Sequence, residues 1–227
     1  MIGRPDSFLI DGAAGAIECV LELPDGTPRG VAVVAHPHPL MGGTMDNKVV
    51  HTLVRAHAQA GWAAVRFNFR GVGRSAGEHD GGLAETDDLL TVLNHHLGQP
   101  ELAGRPWALA GFSFGGFVAA RAAEAVASTH PPSSLVLVGP ATSRFDVPPV
   151  PPHLASACVI HGEHDDVVPL SAVLDWARPQ SMPVTVVPGV GHFFHGQLPL
   201  LRQLVLRHLM AAQAWPPAAV FSTPGRA

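Results

Sequence analysis

The chain has 227 residues, 47% of them hydrophobic and 14% charged, with a formal net charge of −4 when histidine is neutral. That length suits one α/β domain, and the composition is too apolar for a disordered chain. Fourteen Lys and Arg against eighteen Asp and Glu, with no clustered basic run, exclude a general nucleic-acid or anionic-membrane binder.

Lys48 is the sole lysine. It sits in Asp46-Asn47-Lys48-Val49, so the Gly-Lys-Ser/Thr of a phosphate loop is missing, and a Schiff-base mechanism would have to rest on this one side chain. Cys19 and Cys158 lie far apart inside apolar runs and read as small buried hydrophobes, not as a disulfide or metal pair. The start, Met1-Ile2-Gly3-Arg4-Pro5-Asp6, has no apolar signal-peptide core. No stretch approaches the roughly 18 apolar residues of a membrane span. The expectation is a cytoplasmic protein, monomer or homodimer, acting on a small molecule.

In chain order, Ser7 to Ile10 and Ile17 to Leu23 read as an antiparallel pair turned near Asp11-Gly12, followed by a Pro24–Pro28 turn. Val31 to His36 is a continuous apolar strand. Asn47 to Ala60 is a helix ended by Gly61, and Trp62 to Phe69 the next strand. Phe69 to Gly77 is a glycine-rich loop that lacks both the phosphate-loop lysine and the dinucleotide fingerprint. Glu85 to Leu97 is a helix with an acidic start, where Asp80, Glu85, Asp87 and Asp88 read as capping and solvated groups. Trp107 to Phe112 is a strand, Phe114 to Ala127 a small-residue helix, and Leu135 to Val138 and Ala157 to His161 are strands. Leu170 to Ala177 is a short helix opened by Pro169, Val184 to Val187 a last strand, and Leu198 to Ala212 a last helix. Strand runs alternating with helical patterns predict a mostly parallel sheet with helices on both faces. The domain is expected over residues 1–213, with a Pro/Ala/Gly-rich tail over 214–227. The stretch from Gly139 to His153, Pro-rich over 145–153, is too short and Pro-rich for a helical cap domain, though it can cover part of a cleft.

The strongest chemical signal is Gly111-Phe112-Ser113-Phe114-Gly115-Gly116, set between an apolar strand and a helix. That is the context a nucleophile elbow requires: a sharp turn lifts the serine hydroxyl out of the sheet, and nearby glycines make room. A serine needs a base, and the base a carboxylate. Asp165 follows in His161-Gly162-Glu163-His164-Asp165-Asp166-Val167-Val168-Pro169, and His192 in Gly189-Val190-Gly191-His192-Phe193-Phe194. Both come directly after strands, where open α/β sheets place their sites. In this arrangement His192 takes the Ser113 proton and Asp165 holds the other ring nitrogen. Asp166 competes with Asp165 and reads as a solvated loop carboxylate.

These blocks, with His36-Pro37-His38-Pro39-Leu40-Met41-Gly42-Gly43 upstream, resemble the α/β-hydrolase superfamily over nearly the whole chain, and are most similar to small bacterial serine hydrolases related to dienelactone hydrolase. Dienelactone hydrolases carry a cysteine nucleophile; here that position is Ser113. The resemblance implies an α/β-hydrolase fold without a cap domain, and a serine esterase acting through an acyl-enzyme on short acyl chains, with thioesters and lactones as alternatives and no cofactor. It also implies an oxyanion hole made by the backbone N–H of Phe114 and of a residue in the 36–43 loop. Pro37 and Pro39 have no N–H, leaving His38 or Leu40, of which position favours His38. Leu40 and Phe193 are the candidate substrate contacts, and His195 reads as a rim residue. Two competing readings are a non-catalytic scaffold, and a metal site drawn from His36, His38, His161, His164 and Asp165; no metal is the expectation.

Overall fold

A computed structural model describes residues 6–154 and 157–214. The expected tail from residue 215 onward lies outside the described residues. Eight strands form one sheet: β1 (Phe8–Gly12), β2 (Gly15–Glu22), β3 (Val31–Ala35), β4 (Ala63–Phe67), β5 (Trp107–Phe112), β6 (Ser134–Val138), β7 (Cys158–Gly162) and β8 (Val184–Val187). Their spatial order is β1-β2-β4-β3-β5-β6-β7-β8. β1 and β2 form the anticipated antiparallel hairpin, and β2 meets β4 antiparallel; every later pairing is parallel. Among the described residues five α-helices flank the sheet: α1 (Lys48–Gln59), α2 (Leu83–Leu97), α3 (Phe114–Ala125), α4 (Leu170–Ala177) and α5 (Leu198–Ala214).

The period-2 alternation of the strands sorts their side chains into two cores. Val31, Val33, Val65, Leu109, Leu135 and Leu137 face α2, α3 and α4 on one side. Val34, Ala64, Ala110, Phe112, Val136 and Ile160 face α1 and α5 on the other. The central strands are apolar at almost every position because both faces are covered, as parallel sheets require.

Helix boundaries follow local chemistry. Asn47 caps α1 by accepting from the Val49 N–H at 2.8 Å. At the other end, Gly61 (φ +89°) donates to Ala58 O and Trp62 to His57 O, which is a Schellman ending at the expected glycine. Of the acidic residues at the start of α2, expected to be capping or solvated groups, Glu85 caps the helix but is buried, and Asp88 is neither a cap nor solvated. Glu85 is buried and accepts from the Asp80 and Gly82 N–H groups. Asp88 is also buried and takes a two-pronged bond from Arg70 (2.8 and 2.7 Å), tying the glycine-rich loop to the helix. The residue spacing could place these carboxylates near a helix start, but not their burial, which depends on where the 69–77 loop lands.

Candidate active site

Ser113 joins β5 to α3 in a conformation (φ 57°, ψ −117°) that L residues rarely adopt, a strain of about 1–3 kcal/mol. The surroundings leave the backbone no alternative. The Ser113 N–H donates to Val138 O at 2.9 Å, and its carbonyl accepts from Gly116 (2.9 Å) and Ala141 (3.3 Å). The flanking glycines permit the turn: a Cβ on Gly111 would lie 2.1 Å from Gly115 O, and one on Gly115 would lie 2.3 Å from Ala35 O. This second approach presses the start of α3 against the end of β3 and so brings Phe114 beside the 36–43 loop.

Asp165 and His192 meet as the sequence predicts. The His192 Nδ1–H donates to Asp165 Oδ2 at 2.7 Å, and both residues are buried. Asp165 Oδ1 accepts from the Val167 and Val168 N–H groups at 2.9 and 2.7 Å. Burial acts to raise the Asp165 pKa, but the bonds from His192 and Val168 and the nearby His192 and His161 charges outweigh it and hold the carboxyl below its ordinary value. The carboxylate therefore stays ionised beside the imidazole. Asp166, one residue on, is exposed at the cavity rim and makes no such bonds to His192.

Ser113 and His192 line one cavity of about 370 Å³, walled by Phe114, Phe145, Val167 and Phe193, with Asn47, Arg144 and Asp166 as polar groups. Phe193, 43% exposed, stands at its edge, and exposed His195 lines an adjoining hollow with it. Leu40 does not line this cavity. It is 73% exposed and faces a separate hollow shared with Arg70 and His79, because a short 3-10 turn over Pro39–Met41 carries it outward.

The backbone donors around the cavity separate cleanly. The Leu40 N–H is held by His38 Nδ1 at 3.2 Å. The N–H groups of Met41 and Gly43 donate to His38 O, and that of Gly42 to Pro39 O. Among the described residues, the N–H groups of His38 and Phe114 have no acceptor. Their side-chain rings sit 4.9 Å apart. The Phe114 N–H also opens the twelve-residue α3, whose N-terminal dipole favours negative charge there.

Of the residues of the competing metal reading, His161 and Asp165 come within 3.5 Å of each other, but among the described residues no three His, Cys, Asp or Glu gather as a metal site would need. His36 is wholly buried with both ring nitrogens engaged: Nδ1–H donates to Pro37 O at 2.6 Å and Nε2 accepts from the Phe69 N–H at 3.0 Å. Burial pushes its pKa down to about 4, so it stays neutral and ties the 36–43 loop to the loop after β4. His161 Nε2 donates to Val168 O at 2.9 Å, bracing the Asp165 loop from below. His164 is exposed beside Glu163.

Three site features escaped the sequence reading. Gly139 (φ +51°) lies directly under the imidazole, and a Cβ there would meet His192 Cε1 at 3.3 Å and Asp165 Oδ2 at 3.5 Å. Phe194 adopts a left-handed conformation (φ 51°) while fully buried, closing the turn that aims His192. Phe145 stacks on Phe117 (4.8 Å, 18°) and is the residue, not singled out from the sequence, through which the Pro-rich stretch covers part of the cleft as expected; the stretch is anchored where Trp176 Nε1 donates to Val147 O at 2.9 Å. A glycine after a strand and a lone Phe among prolines were the available signals, and neither is specific.

With this geometry in view, comparison with known proteins gives a consistent picture. The profile of the family described as Serine aminopeptidase, S33, matches residues 26–158. An α/β serine hydrolase homologue from Coxiella burnetii is 37% identical, with 92% of this chain and 99% of that one covered and a TM-score of 0.80. An α/β serine hydrolase without a lid from Xanthomonas campestris is 35% identical over 96% and 98% of the two chains, TM-score 0.82. An uncharacterized protein of Rickettsia prowazekii is 26% identical over 90% of this chain and 88% of its own length. The chain belongs to the α/β serine hydrolases. It has a mostly parallel sheet flanked by helices, with no cap domain among the described residues. No helix among the described residues is long and apolar enough to cross a membrane.

Proposed function

We propose that the protein is a serine esterase that cleaves short-chain carboxylic esters through an acyl-enzyme on Ser113. The observation that carries this is the buried His192–Asp165 pair at 2.7 Å, facing the cavity lined by the strained Ser113. His192 Nδ1 carries the proton held by Asp165, so Nε2 is left as the base toward Ser113. As the Ser113 oxygen attacks the acyl carbonyl, His192 takes its proton, and the carbonyl oxygen becomes an oxyanion. The free N–H groups of Phe114 and His38 receive that charge. Collapse expels the alcohol with the proton from His192; water, deprotonated by the same ring, then releases the acid.

A cavity of about 370 Å³ walled by phenylalanines suits a short acyl chain. Thioesters and lactones undergo the same steps at the same groups. The family description favours a second reading, cleavage of an amino-terminal peptide bond. Holding a substrate ammonium needs a carboxylate, and Asp166 is the one carboxylate among the cavity-lining residues.

The test is turnover of p-nitrophenyl acetate, butyrate and octanoate, and of alanine p-nitroanilide, by wild type and Ser113→Ala. The expected result is ester hydrolysis that falls with chain length and disappears in Ser113→Ala. Preference for the anilide would support the peptidase reading, and undiminished ester turnover by Ser113→Ala would refute the mechanism.

A further inference from the structure

A groove of about 530 Å³ runs between α1 and α5, outside the Ser113 cavity. Lys48, His51 and Arg55 line it from α1, and Leu198, Pro199 and Arg202 from α5. Lys48 and Arg55 are seven residues apart, two helical turns, so they stand on one face. Arg202 approaches from the facing helix, and all three cations are exposed. No Asp or Glu is among the lining residues. Elsewhere Arg66 pairs with Glu22 and Arg70 with Asp88. Among the described residues, Lys48, Arg55 and Arg202 have none within ion-pair distance. Asp46, at the head of α1, already lies against Arg66 and His51. In a chain of net charge −4 whose sole lysine is Lys48, three cations thus converge on one concave surface. Their mutual repulsion is relieved by an anion between them.

The groove's position links it to the chemistry. Asn47 lines the Ser113 cavity, and the next residue, Lys48, lines the groove. The opposite wall begins at Leu198, six residues after His192 (198 − 192). A leaving group takes its proton from His192 and so departs on that residue's side. From there, Arg55 lies about 10 Å farther along α1 than Lys48, at a rise of roughly 1.5 Å per residue. The run of positive charge therefore extends away from the mouth of the cavity.

We propose that this groove binds the phosphate groups of the substrate's leaving group, so that the protein acts on acyl esters or thioesters of a small carrier bearing several phosphates. The proposal rests on the acyl-hydrolase reading of Ser113 and names the substrate class that reading leaves open. Three cations match a carrier with several negative charges better than a neutral alcohol, for which the groove has no use. The acyl group occupies the phenylalanine-walled cavity, and the carrier's arm crosses the rim at Asn47.

The test uses the full chain and two readouts. Calorimetric titration with adenosine 3′,5′-bisphosphate at low ionic strength reads the groove without catalysis. KM for butyryl-coenzyme A, beside that for p-nitrophenyl butyrate, reads its coupling to the site. Arg55→Glu with Arg202→Glu is expected to weaken bisphosphate binding and raise the butyryl-coenzyme A KM, each by about tenfold or more, leaving kcat and p-nitrophenyl butyrate turnover unchanged. Arg55→Lys with Arg202→Lys keeps both near wild type if charge is what matters, and unchanged p-nitrophenyl butyrate turnover certifies folding. Absence of saturable bisphosphate binding, or binding indifferent to the charge reversal, overturns the proposal while the esterase reading stands. Charge-sensitive bisphosphate binding with no turnover of any acyl substrate leaves the anion groove in place and brings down the acyl-hydrolase reading, and with it the substrate class.

Discussion

Asp165→Asn separates the charge of this residue from its shape. The carboxylate serves two sets of donors: Oδ1 holds the Val167 and Val168 N–H groups at 2.9 and 2.7 Å, and Oδ2 holds His192 Nδ1–H at 2.7 Å. An asparagine can satisfy one set only. With its oxygen toward the backbone it keeps two bonds, and its NH2 then faces His192. The reverse orientation keeps one bond and sets an NH2 against two N–H donors. The first orientation is favoured, and it compels His192 Nδ1 to accept, which moves the ring proton to Nε2. A protonated Nε2 cannot receive the Ser113 proton. Where the analogous change has been made in a serine protease, kcat drops about 10⁴-fold, equivalent to roughly 5.5 kcal/mol of transition-state stabilisation. We expect a loss of about 10³–10⁴-fold in kcat for p-nitrophenyl butyrate. KM and the folded far-UV signal should change little, because the loop keeps its backbone bonds. Asp166→Asn, at the exposed rim, should cost less than about tenfold. A loss below tenfold in Asp165→Asn, or a larger one in Asp166→Asn, would refute the assignment of the acid.

Gly115→Ala puts a methyl group 2.3 Å from Ala35 O, a backbone atom that cannot swing away; the expected destabilisation is about 3 kcal/mol or more, seen as a large fall in Tm or in soluble yield. A near wild-type Tm would mean that the helix start is not pressed against β3 as described. His57 is wholly buried and donates Nδ1–H to Leu53 O, and burial pushes its pKa from 6.5 down to about 4. The unfolded chain therefore takes up a proton below about pH 6.5 that the folded protein refuses until about pH 4. Stability from the neutral ring is complete above the unfolded pKa and is lost as pH falls through that window, by up to about 3 kcal/mol. His57→Leu should show a flatter dependence of urea midpoint on pH between 7.5 and 5, whereas parallel curves for the two proteins would contradict the buried neutral state.

Most of the secondary structure is legible in the chain because its signals are local. Gly61 ends α1 by its left-handed φ, Asn47 caps the same helix, and the Gly111–Gly116 block demands a strand–turn–helix whatever surrounds it. The meeting of Asp165 with His192 is legible one step further. Each follows a parallel strand, so each emerges at the same end of the sheet as Ser113. The choice of Asp165 over Asp166 is less secure from sequence, since neighbouring loop residues can point in opposite directions.

The sequence by itself determined the α/β alternation, the family and the candidates for nucleophile, base and acid, because these depend on residue type, short-range periodicity and chain order. The tertiary structure alone decided what depends on side chains far apart in sequence. It holds the Leu40 N–H on the His38 ring and leaves the His38 N–H without an acceptor among the described residues, sets Gly139 beneath His192, and makes Phe145 a wall through Phe117. It also carries Arg202 on α5 across to Lys48 and Arg55 on α1. A helix pattern shows which of its own residues share a face; which partner meets that face is settled by the packing of the two cores against the sheet.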